Sequence, residues 1–300
     1  MRRQIRKVAV LGSGVMGSGI AAHFANAGIP SLVLDIVPRE LTKKEEAAGL
    51  ALDHPRVRNR IAADSVAALK KTRPSPIYST EMMSLIEVGN FEDDLAKLKD
   101  VDWIIEVVKE DMAIKKIVLG NVAPHVGPDT IFSSNTSGLS LAEMSAVLPA
   151  EMRPRFLGTH FFNPPRYMKL FEVIPTADTD PELLEFVCDF ARDRLGKGIV
   201  LAKDTPNFIA NRVGVHAMMA VIQIMGEMDL TIEEIDAMTG PAIGRPKTAT
   251  FKLADLVGLD TFLHVADNIY PLIPDDEARE TFVVPDVVRD VVRLLQVRAI

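Results

Sequence analysis

The sequence predicts an α/β protein: a mostly parallel sheet carrying a helical arm, followed by a smaller all-α domain. Three observations lead there. Short apolar runs alternate with helical patterns through the first two thirds of the chain, the order that builds parallel sheets. A glycine-rich turn joins the first run to the first helix. Beyond Asp204 the strand signals stop and helical patterns continue, which sets the expected domains at 1–202 and 203–300.

The elements follow in order. Val8–Leu11 (VAVL) is a short buried-strand pattern. Residues 15–27 read as a helix with Ile20 and Phe24 on one face, Gly28 as a left-handed cap and Pro30 as a stop. The apolar run 32–34 completes a strand–helix–strand unit. Residues 38–98 turn helical and charged, broken at Pro55, Pro74 and Pro76; the stretch is long for a crossover and predicts a helical arm projecting from the sheet. Then come a strand at 101–108 (VDWIIEVV), a helix opening at 114–119 and a strand at 130–133. Residues 156–163 and 168–174 read as two strands joined by the turn Pro164-Pro165-Arg166. An amphipathic helix at 181–196 and a last strand at 198–202 close the sheet domain. Helical patterns run on from Pro206, with Thr231 and Glu234 spaced as a capping box and Gly240 as a cap.

Composition bounds the function. The 300 residues suggest two domains at roughly 150 residues each. Hydrophobic residues at 48% and charged residues at 25% exclude a disordered chain. The net charge of −7 makes the chain a poor ligand for nucleic-acid phosphates, so no such partner is expected. The single cysteine, Cys188, cannot form an intramolecular disulfide, fits a reducing compartment, and reads as a buried, inert thiol in a helix. The uncharged stretch 8–34 superficially resembles a signal peptide or a membrane span. Gly12, Ser13, Gly14, Gly17, Ser18, Gly19 and Asn26 interrupt it, so neither is expected and the protein is placed in the cytoplasm. No metal site is expected.

Gly12-Ser13-Gly14-Val15-Met16-Gly17 matches G-x-G-x-x-G. It follows a strand, opens a helix, and is followed by Asp35 at the end of the next strand, the context a Rossmann-type dinucleotide site requires. Gly12 permits the tight turn, Gly14 the approach of a pyrophosphate, and Gly17 close helix–strand packing. The helix start at Val15 and Met16 offers N–H groups to the phosphates. Asp35 would accept from ribose hydroxyls and repel a 2′-phosphate, favouring NAD over NADP.

A dehydrogenase needs a base for the alcohol proton, and histidine titrates near neutrality. Of six histidines, His23 lies in the first helix, His54 and His125 sit beside prolines, and His216 and His264 lie in apolar helical patterns. His160 sits in a strand, and the expected hairpin returns Glu172, flanked by apolar residues, on the facing strand. Two readings stay open from spacing: a base with its orienting carboxylate, or a structural ion pair.

The sequence resembles the L-3-hydroxyacyl-CoA dehydrogenase family. The residues carrying the likeness are VAVLGSGVMGSGIA at 8–21, EVVKEDMAIK at 106–115, SSNTSGLS at 133–140, THFFNPPRYMKLFEVI at 159–174, DTPNFIANR at 204–212 and GRPKTATFKLADLVGLD at 244–260. The HFFNPP and GRPKTATF versions look most like the dehydrogenase portion of longer bacterial and archaeal fusions with an enoyl-CoA hydratase. The resemblance implies NAD-dependent oxidation of an L-3-hydroxyacyl-CoA to the 3-ketoacyl-CoA in fatty acid β-oxidation. It also implies His160 as base with Glu172 as partner, Ser137 and Asn211 as contacts to the substrate oxygen, and Glu110, Lys115 and Asn135 at the cofactor. Read without it, Ser137 is a turn residue and Asn211 a helix-start residue. The resemblance further implies that the arm holds the phosphates of CoA; Arg58, Arg60, Lys70, Lys71 and Arg73 would suit that role or form a solvated face.

A glycine-rich GxKTGxGFY-like segment closes family members and is missing here; the chain ends in VVPDVVRDVVRLLQVRAI. Val287, Val288, Val291, Val292, Leu294 and Leu295 form an apolar stripe that needs a dimer interface or the rest of a longer fusion to cover it. No hydratase portion is present, so no hydratase activity is expected, and a homodimer is the family expectation. The alternatives are a related NAD-dependent dehydrogenase of a small hydroxy acid or polyol, and a non-catalytic NAD-binding relative.

Overall fold

A computed structural model describes residues 3–286, 288 and 289. The chain divides into two compact units, Met1–Thr205 and Pro206–Ile300.

The first unit holds an eight-stranded sheet among the described residues. The chain runs β1 (Val8–Leu11), α1 (Val15–Asn26), β2 (Ser31–Asp35), then the arm helices α2 (Lys43–Ala47), α3 (Pro55–Arg58) and α4 (Arg60–Ala68), and β3 (Ile86–Asn90). It continues through β4 (Trp103–Glu106), α5 (Met112–Val122), β5 (Ile131–Ser134), α6 (Leu141–Ser145), β6 (Phe156–Phe161), β7 (Leu170–Pro175), α7 (Pro181–Leu195) and β8 (Gly198–Leu201). The strand order is β3-β2-β1-β4-β5-β6-β7-β8, parallel throughout except at the β6–β7 hairpin. The direction of winding reverses between β1 and β4, and ligands of open α/β sheets bind at the carboxyl ends of strands beside such a switch.

Apolar runs make the central strands because both faces are covered; β1 is buried at every position. On one face α1 and α7 meet the strands in a single core, where the Phe24 ring lies edge-on to Trp103 (5.7 Å) and Trp103 edge-on to Phe190 (5.9 Å). The Trp103 indole N–H finds the Ser133 hydroxyl at 2.9 Å, so burying the indole leaves no unpaired donor.

Two expectations need correction. The stretch expected as a helical arm also contains an edge strand, β3, paired in parallel with β2. Its IEVGN sequence carries Gly and Asn, both depleted in strands, so local pattern hides it and pairing creates it. The strand expected at 101–108 is only four residues long, because the backbone leaves the sheet after Val107, whose N–H makes the last bond to β1 at the Leu11 carbonyl.

In the second unit α8 (Ala210–Met228) packs against α11 (Leu259–Ile269) through Val215, Met219 and Ile222 with Phe262, Leu263 and Ala266. Between them lie α9 (Ile232–Thr239) and α10 (Phe251–Val257). The Thr231–Glu234 capping box opens α9: the Glu234 N–H donates to Thr231 Oγ1 and the Thr231 N–H to Glu234 Oε2. Apart from Val288, the expected C-terminal apolar stripe lies outside the described residues. No helix among the described residues is long and apolar enough to cross a membrane.

Candidate active site

The glycine turn sits where β1 meets α1. Gly12 adopts φ +103°, and a Cβ there would meet the Val107 carbonyl oxygen at 2.7 Å; a Cβ on Gly17 would meet the Gly12 oxygen at 1.9 Å. Gly14 faces open space, and it caps α1 without a side-chain hydrogen bond. The first turn of α1, at Val15 and Met16, is therefore exposed as a bare N–H cradle, which fits a dinucleotide pyrophosphate. At the end of β2, Asp35 Oδ2 accepts from the Ser13 N–H (2.6 Å) and hydroxyl (2.5 Å), and Oδ1 accepts from the Ile36 N–H (2.7 Å). A carboxylate offers about four acceptor positions, so Asp35 holds the turn and keeps capacity for a ribose hydroxyl.

His160 and Glu172 are direct cross-strand partners in the β6–β7 hairpin. His160 Nδ1 lies 2.8 Å from Glu172 Oε2, with the histidine 5% and the glutamate 0% exposed. β6 runs parallel to β5, so His160, one residue from its end, stands at the carboxyl edge of the sheet. The hairpin register puts both side chains on one face, and burial keeps water from weakening the pair.

The loops after β4 and β5 bring the remaining first-unit candidates together. Glu110 Oε1 accepts from Thr136 Oγ1 (2.7 Å), the Ser137 N–H (2.8 Å) and Ser137 Oγ (3.0 Å), while Oε2 lies 3.2 Å from Lys115 Nζ. Partial burial raises the Glu110 pKa, but the Lys115 charge and these hydrogen bonds together hold it below the usual carboxylate range. Asn135 ties its loop to the histidine strand, its Oδ1 accepting the Phe161 N–H at 2.9 Å.

Sequence reasoning missed Glu106, Ser134, Thr136 and Asp204. Glu106 is fully buried and bonded to Lys115, Ser134 and the Val108 N–H. A carboxylate inside the apolar run WIIEVV was the available signal, the same that marked Glu172. Asp204 accepts the N–H groups of Leu141 (3.0 Å) and Ala142 (2.8 Å), fastening the start of α6 behind the Ser137 loop.

Asn211 lies in the first turn of α8, in the second unit. In the arm, Arg58 is paired with Glu92 and Asp93, and Arg60 with Glu45, whereas Lys70, Lys71 and Arg73 are exposed. Among the other histidines, His23 is buried, His54 accepts the Arg56 N–H to cap α3, and His216 lies edge-on to Phe282. Cys188 is buried, which pushes its thiol pKa up and keeps it protonated.

Residues 7–205 match the family model described as 3-hydroxyacyl-CoA dehydrogenase, NAD binding domain, and residues 208–292 the model of its C-terminal domain. The chain is 52% identical over 290 residues to a "Probable 3-hydroxyacyl-CoA dehydrogenase" of Bacillus subtilis (strain 168), covering 97% of this chain and 37% of the relative. It thus spans little more than a third of that relative's length. A protein of the same description from Deinococcus radiodurans is 46% identical over 274 residues, covering 91% of this chain and 75% of the relative. Among solved structures, (S)-3-hydroxybutyryl-CoA dehydrogenase PaaH1 from Ralstonia eutropha superposes with a TM-score of 0.74 at 27% identity, covering 97% of this chain and 94% of that one. With both units matched in order and the nucleotide turn intact, the chain belongs to the 3-hydroxyacyl-CoA dehydrogenase family, and its first unit is that family's NAD-binding domain.

Proposed function

We propose that the protein oxidises an L-3-hydroxyacyl-CoA to the 3-ketoacyl-CoA with NAD, as a step of fatty acid β-oxidation. The observation that carries this reading is the His160–Glu172 pair, buried at the carboxyl edge of the sheet at 2.8 Å. With Nδ1–H donated to Glu172, Nε2 is the basic nitrogen of the ring. His160 takes the proton of the 3-hydroxyl as the C3–O bond becomes a carbonyl, and Glu172 stabilises the imidazolium that results. Bound NAD would supply the hydride acceptor for C3. The glycine turn would hold its pyrophosphate and Asp35 its ribose, with Glu110, Lys115 and Asn135 near the nicotinamide end. Ser137 would orient the 3-oxygen, and Asn211 is assigned to the same oxygen on its motif.

We read the protein as cytoplasmic and homodimeric. The dimer reading is supported by exposed apolar side chains along α8, namely Val213, Ile224 and Met228.

NADH oxidation with acetoacetyl-CoA and a ladder of longer 3-ketoacyl-CoA substrates tests the reaction. His160→Ala and Glu172→Ala should each lower kcat by about 10²-fold or more, and Ser137→Ala and Asn211→Ala by less. Near-normal turnover in both the His160 and Glu172 variants refutes the assignment.

A further inference from the structure

We propose that Glu106, which has no assigned part in the reaction, is the positioning residue that aims Ser137, acting through Lys115 and Glu110; this rests on the reading of Ser137 as a substrate contact. Glu106 is the last residue of β4 and has no solvent exposure. Its two oxygens serve two different loops. Oε1 accepts from the Val108 N–H (2.7 Å) and Lys115 Nζ (2.8 Å), on the β4–α5 side. Oε2 accepts from Ser134 Oγ (2.5 Å), and that hydroxyl in turn accepts the Thr136 N–H (3.1 Å), on the β5–α6 side. Lys115, 1% exposed, spans from Glu106 to Glu110, and Glu110 holds the amide and hydroxyl of Ser137. One buried carboxylate therefore fastens both loops that leave the sheet beside the switch point.

The charge has a purpose that hydrogen bonding alone does not explain. Burying a carboxylate is costly, and a glutamine of the same shape would satisfy the Val108 N–H and the Lys115 ammonium equally well as hydrogen-bond donors. Its amide oxygen would take the Val108 N–H and Lys115, whereas its NH₂ can only donate to Ser134, whose hydroxyl would lose its acceptor. Only the anion counterbalances Lys115. With Glu106 ionised, the ammonium is shared between two carboxylates, and Glu110 keeps an oxygen for Thr136 and Ser137. With Glu106 neutral, Glu110 becomes the sole anionic partner of Lys115 and is drawn off Ser137. A displacement of this kind near reacting atoms is costly in rate, because orientation is what the loop supplies.

The experiment is a double-mutant cycle on the full chain. Glu106→Gln, Ser137→Ala and the double variant are compared by kcat and KM for acetoacetyl-CoA reduction, with NADH binding followed by fluorescence and melting temperature measured for each. Glu106→Gln should lower kcat about tenfold in the parent but less than about threefold beside Ser137→Ala. If Glu106→Gln does not fold, Ser134→Ala, which cuts the tie from Oε2 to the second loop, is run through the same cycle with the same criterion. Parent-like kcat in the variant, or an equal loss in both backgrounds, overturns the proposal while leaving the functional reading intact. An inactive parent overturns both.

Discussion

His23 and His160 are buried in the same unit, yet they face different partners. His160 meets a carboxylate, whereas His23 Nε2 lies 3.0 Å from the Leu195 carbonyl and its Nδ1 has no hydrogen-bond partner among the described residues. Burial first, then the Lys197 charge and more weakly Arg166, hold the His23 pKa at about 4, against the opposing pull of the Leu195 carbonyl. Lys197 is itself held at about 8 by burial, its ammonium donating to the Pro165 and Met168 carbonyls. The consequence for stability has a definite sign. Unfolded His23 binds a proton near pH 6.5, and folded His23 only near pH 4, so its contribution is intact above pH 6.5 and lost as pH falls through 4. The full span is about 3 kcal/mol. Urea denaturation from pH 7 down to pH 4 should therefore show a shallower loss of stability for His23→Gln than for the parent; parallel curves would contradict this.

At the scale of elements, the arm is a set of short charged helices in which Arg58 and Arg60 differ from Lys70, Lys71 and Arg73. Arg58 and Arg60 bind acids supplied by the chain itself, Glu92 and Asp93 from beyond β3 and Glu45 from α2. The Arg60 pair ties α4 to α2 and the Arg58 pairs tie α3 to the segment after β3, while Lys70, Lys71 and Arg73, beyond the end of α4, stay exposed. Exposed charges act on a polyanion mainly by long-range attraction, which salt screens. Reversing Lys70 and Lys71 together to Glu should raise KM for acetoacetyl-CoA about three- to tenfold at low ionic strength, and the gap from the parent should narrow as salt is added. A KM unchanged at low salt would take the CoA phosphates away from this end of the arm.

At the scale of the whole molecule, the second unit presents an exposed apolar face on α8. Val213, Ile224 and Met228 recur along α8 at spacings of 11 and 4 residues, which brings them to one side of the helix. Val213 and Met228 are each 63% exposed, an unusual state for apolar side chains arranged in a row. Light scattering after gel filtration should give about twice the chain mass of 32.9 kDa for the parent. Val213→Asp combined with Ile224→Asp should return a monomer, since a charge buried in an apolar interface lacks a partner. A parent that runs as a monomer, or a dimer that survives both charges, would rule out this face.

Much of the site was legible because its logic is local. A strand, three glycines and a helix follow one another in sequence, and Asp35 closes the next strand, so the nucleotide turn could be read directly. His160 and Glu172 lie 12 positions apart across one hairpin, where the turn sets the register and so pairs them. The edge strand β3 was not legible, since a run containing Gly and Asn becomes a strand only when β2 offers it hydrogen bonds. Nor was the convergence on Glu106, because Ser134 reaches it only once β4 and β5 are neighbours. The neutralisation of Arg58 by Asp93, 35 positions away, and the contact of His23 Nε2 with the Leu195 carbonyl, 172 positions away, depend likewise on how distant segments pack. Periodicity and turn chemistry are written residue by residue and specified the fold class, the glycine turn and the facing of His160 by Glu172. Which charges neutralise one another, and which polar groups share a buried site, is decided by strand order and close packing, which exist only in the folded chain.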